Sequence, residues 1–215
     1  MKPEERKIPF IIGCLMLASG QGRRFGGNKL LAPLESRSGT KPLIEYSLLT
    51  LKSFSEAPEL NNAGVKCEPF VLTCHEEVRR LCEKLSVPVR FFGGGLKSDT
   101  IRFGLSLKES AEWEGCMFIA SDQPALTAQT LVRLVFSFAS DPSRPVRLSY
   151  DGRAGNPVLF PRSFFSALSM LKGEQGGGAL LKGEEARTGL VEAASETELM
   201  DVDTGEELIL IEKLL

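Results

Sequence analysis

Residues 17–34 read "LASGQGRRFGGNKLLAPL", which sets Gly20, Gly22, Gly26 and Gly27 beside Arg23, Arg24 and Lys29, between two apolar runs. Immediately upstream, "FIIGCLMLA" (10–18) is a continuous apolar stretch closed by glycines, the pattern of a strand buried on both faces. In an open parallel sheet, ligands bind beyond the carboxyl ends of the strands. A loop leaving such an end exposes backbone amides that can turn toward an anion. Glycine permits the positive φ angles and close approach this requires, and the arginines and lysine add charge that does not titrate near neutral pH. The segment is therefore read as a cradle for a phosphate chain.

Strand and helix patterns alternate through the rest of the chain. "KPLIEYSLLTLKSF" (41–54) carries a helical apolar stripe, "EPFVLTC" (68–74) is a second strand, and "EEVRRLCEKL" (76–85) is a helix with acidic residues in its first turn. A short strand in "PVRFFGGG" (88–95) precedes "SDTIRFGLSLKES" (98–110), which begins like a capped helix. "GCMFIASDQP" (115–124) is a buried strand stopping at an aspartate, and "TAQTLVRLVFSFAS" (127–140) is a helix with Thr127 as N-cap. "VRLSYDGRAGNPVLFP" (146–161) reads as a hairpin, inserted or at an edge. "RSFFSALSML" (162–171) is a helix, followed by the loop "KGEQGGG" and a second short helix. "GLVEAA", "LMDVD" and "TGEELILIEKLL" close the chain as strand, loop and helix. The expected fold is α/β: three layers, a mostly parallel sheet with helices on both faces, plus a small hairpin insertion. One domain is expected over 1–215, with a flexible N-terminus at 1–7.

Composition removes several classes of chemistry. The 215 residues are 42% hydrophobic and 25% charged with a net charge of −2, so no general attraction to nucleic acid or an anionic membrane is expected. The longest apolar run, Ile8 to Leu17, is interrupted by Pro9 and Gly13 and is too short to span a bilayer. No export-type cleavage pattern follows "MKPEERK", and a cytoplasmic location is expected. The five cysteines form no CxxC and the only histidine is His75, which argues against a zinc site and against a serine or cysteine triad. Chemistry is left to carboxylates, lysine, arginine, backbone amides and a hard metal.

Three phosphate-binding templates can be tested on the loop. The P-loop fails, because "GGNKL" separates glycine from lysine and lacks the hydroxyl residue. The dinucleotide fingerprint fails at Phe25, although the looser spacing Gly20, Gly22, Gly26 is met, and no acidic residue ends a second strand about twenty positions on. The third fits: the stretch resembles the L-A-x-G-x-x-x-R-x-G-x-x-K signature of nucleotidyltransferases that hold a nucleoside triphosphate. "KPLIEYSL", "KSDTIRFGL", "SDQPAL", "GRAGNPVLFPRSFF", "LKGEQGGGALL" and "MDVDTGEEL" follow in the order of the later blocks of that group. The chain most resembles the molybdenum cofactor cytidylyltransferases, relatives of the guanylyltransferases of the same pathway, over residues 10–215.

The resemblance implies a Rossmann-like nucleotidyltransferase fold and a reaction in which the terminal phosphate of molybdopterin attacks the α-phosphate of CTP, releasing pyrophosphate. It assigns Arg24 and Lys29 to the triphosphate and to charge developing on the α-phosphate and leaving group. Asp122 takes the place of the strand-end carboxylate that coordinates Mg²⁺, the implied cofactor; a helix N-cap is its alternative role. Leu17, Ala18, Ser19, Gly20 and Gly22 would contact the nucleotide through the backbone, and Ser98, Thr100 and Arg102 would meet base and ribose. Lys97 stands where glycine is common, Asn156 where histidine is frequent, and Gly205 where proline is usual. Asp201 and Asp203 fall where relatives touch the second substrate or metal, with turn capping as the alternative, and residues 173–181 would wall the pterin side. Ser19 and Asn28 favour cytidylyl over guanylyl transfer. Implied partners are CTP, the molybdenum cofactor, and a molybdoenzyme or its insertion chaperone. The competing readings are guanylyl or sugar-phosphate nucleotidyl transfer, an NADP-dependent oxidoreductase built on Gly20, Gly22 and Gly26, and a catalytically silent nucleotide-sensing protein.

Overall fold

A computed structural model describes residues 9–20, 25, 28–37, 39–183 and 185–215. In chain order the elements are β1 (Phe10–Leu17), β2 (Pro33–Ser36), β3 (Gly39–Pro42), α1 (Leu43–Ser55), α2 (Pro58–Asn62), β4 (Val65–Thr73), α3 (Glu76–Leu85) and β5 (Val89–Phe91). Then come α4 (Lys97–Leu105), β6 (Gly115–Ala120), α5 (Ala128–Ser140), β7 (Val146–Tyr150), β8 (Arg153–Pro161), α6 (Phe165–Ser169), β9 (Gly189–Glu192) and α7 (Gly205–Glu212). Seven strands form one sheet in the order β5-β4-β1-β6-β8-β7-β9, and β2 pairs with β3 separately. β1 lies parallel between β4 and β6, while β8 runs antiparallel to both β6 and β7.

The expected three layers are present, and the alternation of side chains along β1 explains them. Ile12, Cys14 and Met16 face one apolar cluster with Leu48 and Leu51 of α1, Val78 of α3 and Leu131 of α5. Leu15 faces the other, with Ile101 of α4, Leu168 of α6 and Trp113. A strand covered on both sides has no polar face to show, hence the unbroken apolar run. Trp113 presses onto β1 at Gly13, where a Cβ would stand 2.2 Å from the indole, so only glycine fits there. A third cluster joins Leu34, Leu43, Val202 and Ile211 and docks α7 against β2.

Several boundaries differ from the sequence reading. The hairpin 146–161 is no insertion: β8 sits inside the main sheet, hydrogen-bonded on both edges. Lys41 and Pro42 belong to a strand, and α1 starts at Leu43. Ser98 does not cap α4; Leu96 occupies that position, and its N–H donates to Asp99 Oδ2 at 2.9 Å. The strand expected to reach Asp122 ends at Ala120. Residues 162–171 split into a 3-10 turn (Arg162–Phe164) and the five-residue α6. Thr127 does cap α5, accepting from the Thr130 N–H at 3.2 Å. All five cysteines are free, and burial pushes the Cys82 thiol up to about 12 and those of Cys14 and Cys116 well above their ordinary value. Among the described residues no helix is long and apolar enough to cross a membrane.

Candidate active site

The carboxyl ends of β1 and β6 lie side by side, so Ser19 and Gly20 leave the sheet next to Ser121 and Asp122. Short hydrogen bonds hold both exits. Thr73 Oγ1 donates to the Ala18 carbonyl at 2.9 Å, and Ser121 Oγ donates to the Leu17 carbonyl at 2.8 Å. Ser47 of α1 donates to the Ser121 carbonyl at 3.2 Å. Imidazole Nε2 of His75, at the start of α3, lies 3.0 Å from the Gly20 carbonyl.

Lys29 opens a 3-10 turn whose N-cap, Asn28, accepts from the Leu30 N–H at 3.3 Å. Its Nζ donates to Asp122 Oδ2 at 2.6 Å and to Asp203 Oδ1 at 2.5 Å. Burial by itself would lower the ammonium pKa, but the Asp122 charge and the hydrogen bonds to both carboxylates outweigh it and raise the pKa above the ordinary lysine value. Asp203 reaches this point because the chain is clamped on either side of it. The Val202 N–H donates to the Asp122 carbonyl at 3.0 Å, and a capping box between Thr204 and Glu207 starts α7 directly after it. Glu207 Oε2 also accepts from the Asp203 N–H at 2.7 Å. Asp201, solvent-facing at the cleft edge, has its carboxyl raised to about 6 by desolvation within the cleft and by the charges of Asp122 and Asp203, against the opposing pull of Lys29 and Lys97.

Lys29, Asp122 and Asp203 face a cavity of about 770 Å³. Leu17, Ser19, Gly20, Lys29, Thr100, Asp122, Asn156 and Asp203 all contribute to its wall, as do Lys97 and the glycines 176–178. Ser19 Oγ and Thr100 Oγ1 lie 2.6 Å apart in that wall. Four described residues from the sequence reading are not in the wall, and Asp201 lines a smaller neighbouring cavity instead. Ala18 is fully buried beneath it, and Ser98 is buried with its N–H donated to the Gly173 carbonyl. Arg102 turns away, pairing with Asp99 at 2.8 Å and donating to the carbonyls of Ser169 and Leu171. Gly22 and Arg24 lie outside the described residues. Sequence reasoning missed Arg147, a charge placed within an inner strand, and Gln123, adjacent to the aspartate that was singled out. A charge inside the apolar run "VRLSY" was the available signal for the first.

Among the described residues no three His, Cys, Asp or Glu side chains gather closely enough to cage a metal by themselves. The donor set nevertheless suits Mg²⁺, which favours one or two carboxylates with substrate phosphates and waters over an all-protein cage. Asp122 and Asp203 already converge on one cation, the Lys29 ammonium.

An α/β sheet with a nucleotide-sized, cation-bearing cavity at its parallel strand ends defines a nucleotide-handling protein. Residues 14–189 match the MobA-like NTP transferase domain, and the chain belongs to that family, the nucleotidyltransferases of MobA-like type. It is 28% identical to the purine catabolism protein PucB of Bacillus subtilis (strain 168), over 97% of this chain and 99% of that one. The fold is similar to that of a nucleotidyl transferase from Methanothermobacter thermautotroptrophicus, with TM-score 0.71, 22% identity, and 94% and 96% of the two chains covered. It is also similar to Rv0371c of Mycobacterium tuberculosis H37Rv, solved in complex with manganese, with TM-score 0.69, 19% identity, and 95% and 99% covered. Family membership favours nucleotidyl transfer over the dinucleotide reading of the glycine loop.

Proposed function

We propose that this protein transfers CMP from CTP to the terminal phosphate of molybdopterin or the molybdenum cofactor and releases pyrophosphate. The observation that carries the proposal is the Lys29 Nζ held between Asp122 and Asp203 in the wall of the cavity at the strand ends. Both substrates are anions, so the task of the site is charge neutralisation and in-line positioning, with no covalent nucleophile needed. Lys29 serves the phosphates, exchanging a carboxylate partner for a phosphate oxygen when the nucleotide arrives. Arg24, five residues before it in the sequence, is assigned to the triphosphate with it. Asp122, assisted by Asp203, would hold Mg²⁺. Bound there, the ion supplies electrophilic polarisation of the α-phosphate and neutralises the leaving pyrophosphate. Gly20 and Ser19 offer backbone groups at the strand exit, and Asn156 lies where it can hydrogen-bond the incoming acceptor.

Ser19 and Asn28, where this loop departs from the pattern of the guanylyl relatives, support cytosine over guanine. A molybdoenzyme or its insertion chaperone is the proposed recipient of the product. A panel of CTP, GTP, ATP and UTP, each with molybdopterin and magnesium, tests the proposal by pyrophosphate release. Release fastest with CTP is expected. GTP matching or exceeding CTP overturns the choice of base, and no release with any nucleotide overturns the activity.

A further inference from the structure

Three consecutive side chains at the end of β4 meet three consecutive carbonyls at the end of β1. Thr73 Oγ1 donates to the Ala18 carbonyl at 2.9 Å, and Cys74 Sγ donates to the Ser19 carbonyl at 3.7 Å. His75 Nε2 stands 3.0 Å from the Gly20 carbonyl. A carbonyl only accepts, so the proton of that contact sits on Nε2. Neighbouring groups hold the donors in place. The His75 N–H donates to Thr73 Oγ1 at 3.1 Å. A Cβ at Gly94 would stand 3.1 Å from Cys74 Sγ, so the turn after β5 packs directly on the thiol.

Along a parallel strand, successive carbonyls turn alternately to the two flanking strands. Here three in a row turn to the side of β4 and α3. A trans peptide sets C=O and N–H on opposite sides, so the N–H groups of Ser19 and Gly20 turn away from β4. Both residues line the first cavity, and among the described residues neither N–H is donated to another group. The innermost bond, from buried Thr73 to buried Ala18, is what any fold requires of an enclosed carbonyl. The outermost is different. Gly20 is exposed, where water can serve its carbonyl, and glycine has the widest backbone freedom to restrain. What the imidazole adds there is direction.

We infer that Thr73, Cys74 and His75 form a clamp that presets the Ser19 and Gly20 amides for an incoming polyphosphate, with His75 the positioning residue at its outer end. The inference rests on reading the first cavity as the nucleotide site. A segment that holds the receiving geometry only part of the time binds more weakly in proportion.

Two amide substitutions test the clamp. A glutamine amide at position 75 reaches the place of Nε2, whereas an asparagine amide stops at the level of Nδ1 and keeps a good N-cap for α3. Wild type, His75→Asn and His75→Gln are compared by backbone NMR order parameters at Ser19 and Gly20, and by calorimetric binding of CTP with magnesium. His75→Asn is expected to lower both order parameters and to weaken CTP binding by about fivefold to tenfold, with the melting temperature unchanged. His75→Gln is expected to restore both readouts. Order parameters unchanged in His75→Asn, CTP affinity unchanged in it, or no recovery in His75→Gln would overturn the clamp. A wild type that binds no nucleotide removes the nucleotide reading, and the order parameters alone then decide the clamp. Where circular dichroism shows His75→Asn to be misfolded, His75→Ala takes its place.

Discussion

Two clusters in this molecule are each built on a carboxylate, and they differ in what they leave open. Glu198 is 2% exposed, with Oε1 accepting from Thr127 Oγ1 at 2.6 Å and Oε2 from Thr130 Oγ1 at 2.8 Å and the Ala194 N–H at 3.1 Å. Its partners come from the start of α5 and from the segment after β9, so the cluster ties the helix to that segment and offers nothing to a ligand. Asp122 and Asp203 converge instead on a lysine in the wall of a cavity, with Asp203 46% exposed at its side chain. That cluster faces a cavity, where a visiting anion or cation can reach it. A carboxylate enclosed by its own fold marks a scaffold; carboxylates gathered on a cation in a cavity wall mark a candidate site.

The largest effect that sharpens this contrast is expected from Lys29→Ala, which should lower kcat/KM by roughly 10²- to 10³-fold, as for a lost transition-state contact, with the thermal midpoint little changed. Steady-state pyrophosphate release alongside thermal unfolding measures both. Glu198→Ala should behave in the opposite sense. It strands two hydroxyls and an amide and is expected to cost about 3 kcal/mol of unfolding free energy in urea titration, with kcat/KM unchanged at temperatures where the variant is folded. A catalytic defect there without a stability loss would break the comparison. The smallest effect belongs to the surface. Glu76 is held down to about 2 by hydrogen bonding from Arg79, against its ordinary 4.5. A depressed carboxyl pKa stabilises the fold above the unfolded value and loses that contribution as pH falls through the folded one. Glu76→Gln should therefore lower the melting temperature slightly at pH 7, and the difference from wild type should shrink between pH 4.5 and 2.

The parts of the fold that are legible from sequence are those whose local pattern and tertiary environment agree. β1 is apolar because both of its faces are covered, and α3 runs from Glu76 to Leu85 as its stripe and acidic first turn indicate. The β2–β3 pair was invisible because two four-residue strands, each with a proline at one end, carry little alternation to detect. The position of β8 inside the sheet is a fact of strand order, which no local pattern records. In the candidate site, the motif points to Lys29 and the end of an apolar run to Asp122, and the structure brings the two together at 2.6 Å. Arg102 looked equally suitable, yet Asp99 three residues earlier and the carbonyls of Ser169 and Leu171 take its donors elsewhere. Arg147 and Gln123 share a cavity wall only when β7, β8 and the turn after β6 come together.

Asp122, paired with Lys29 two residues beyond β6, is proposed to belong to the reaction centre of nucleotidyl transfer. The decisive assay is pyrophosphate release by Asp122→Asn with magnesium and saturating nucleotide and acceptor. Loss of turnover is expected in a chain that melts at the wild-type temperature; turnover at the wild-type rate would remove Asp122 from the reaction.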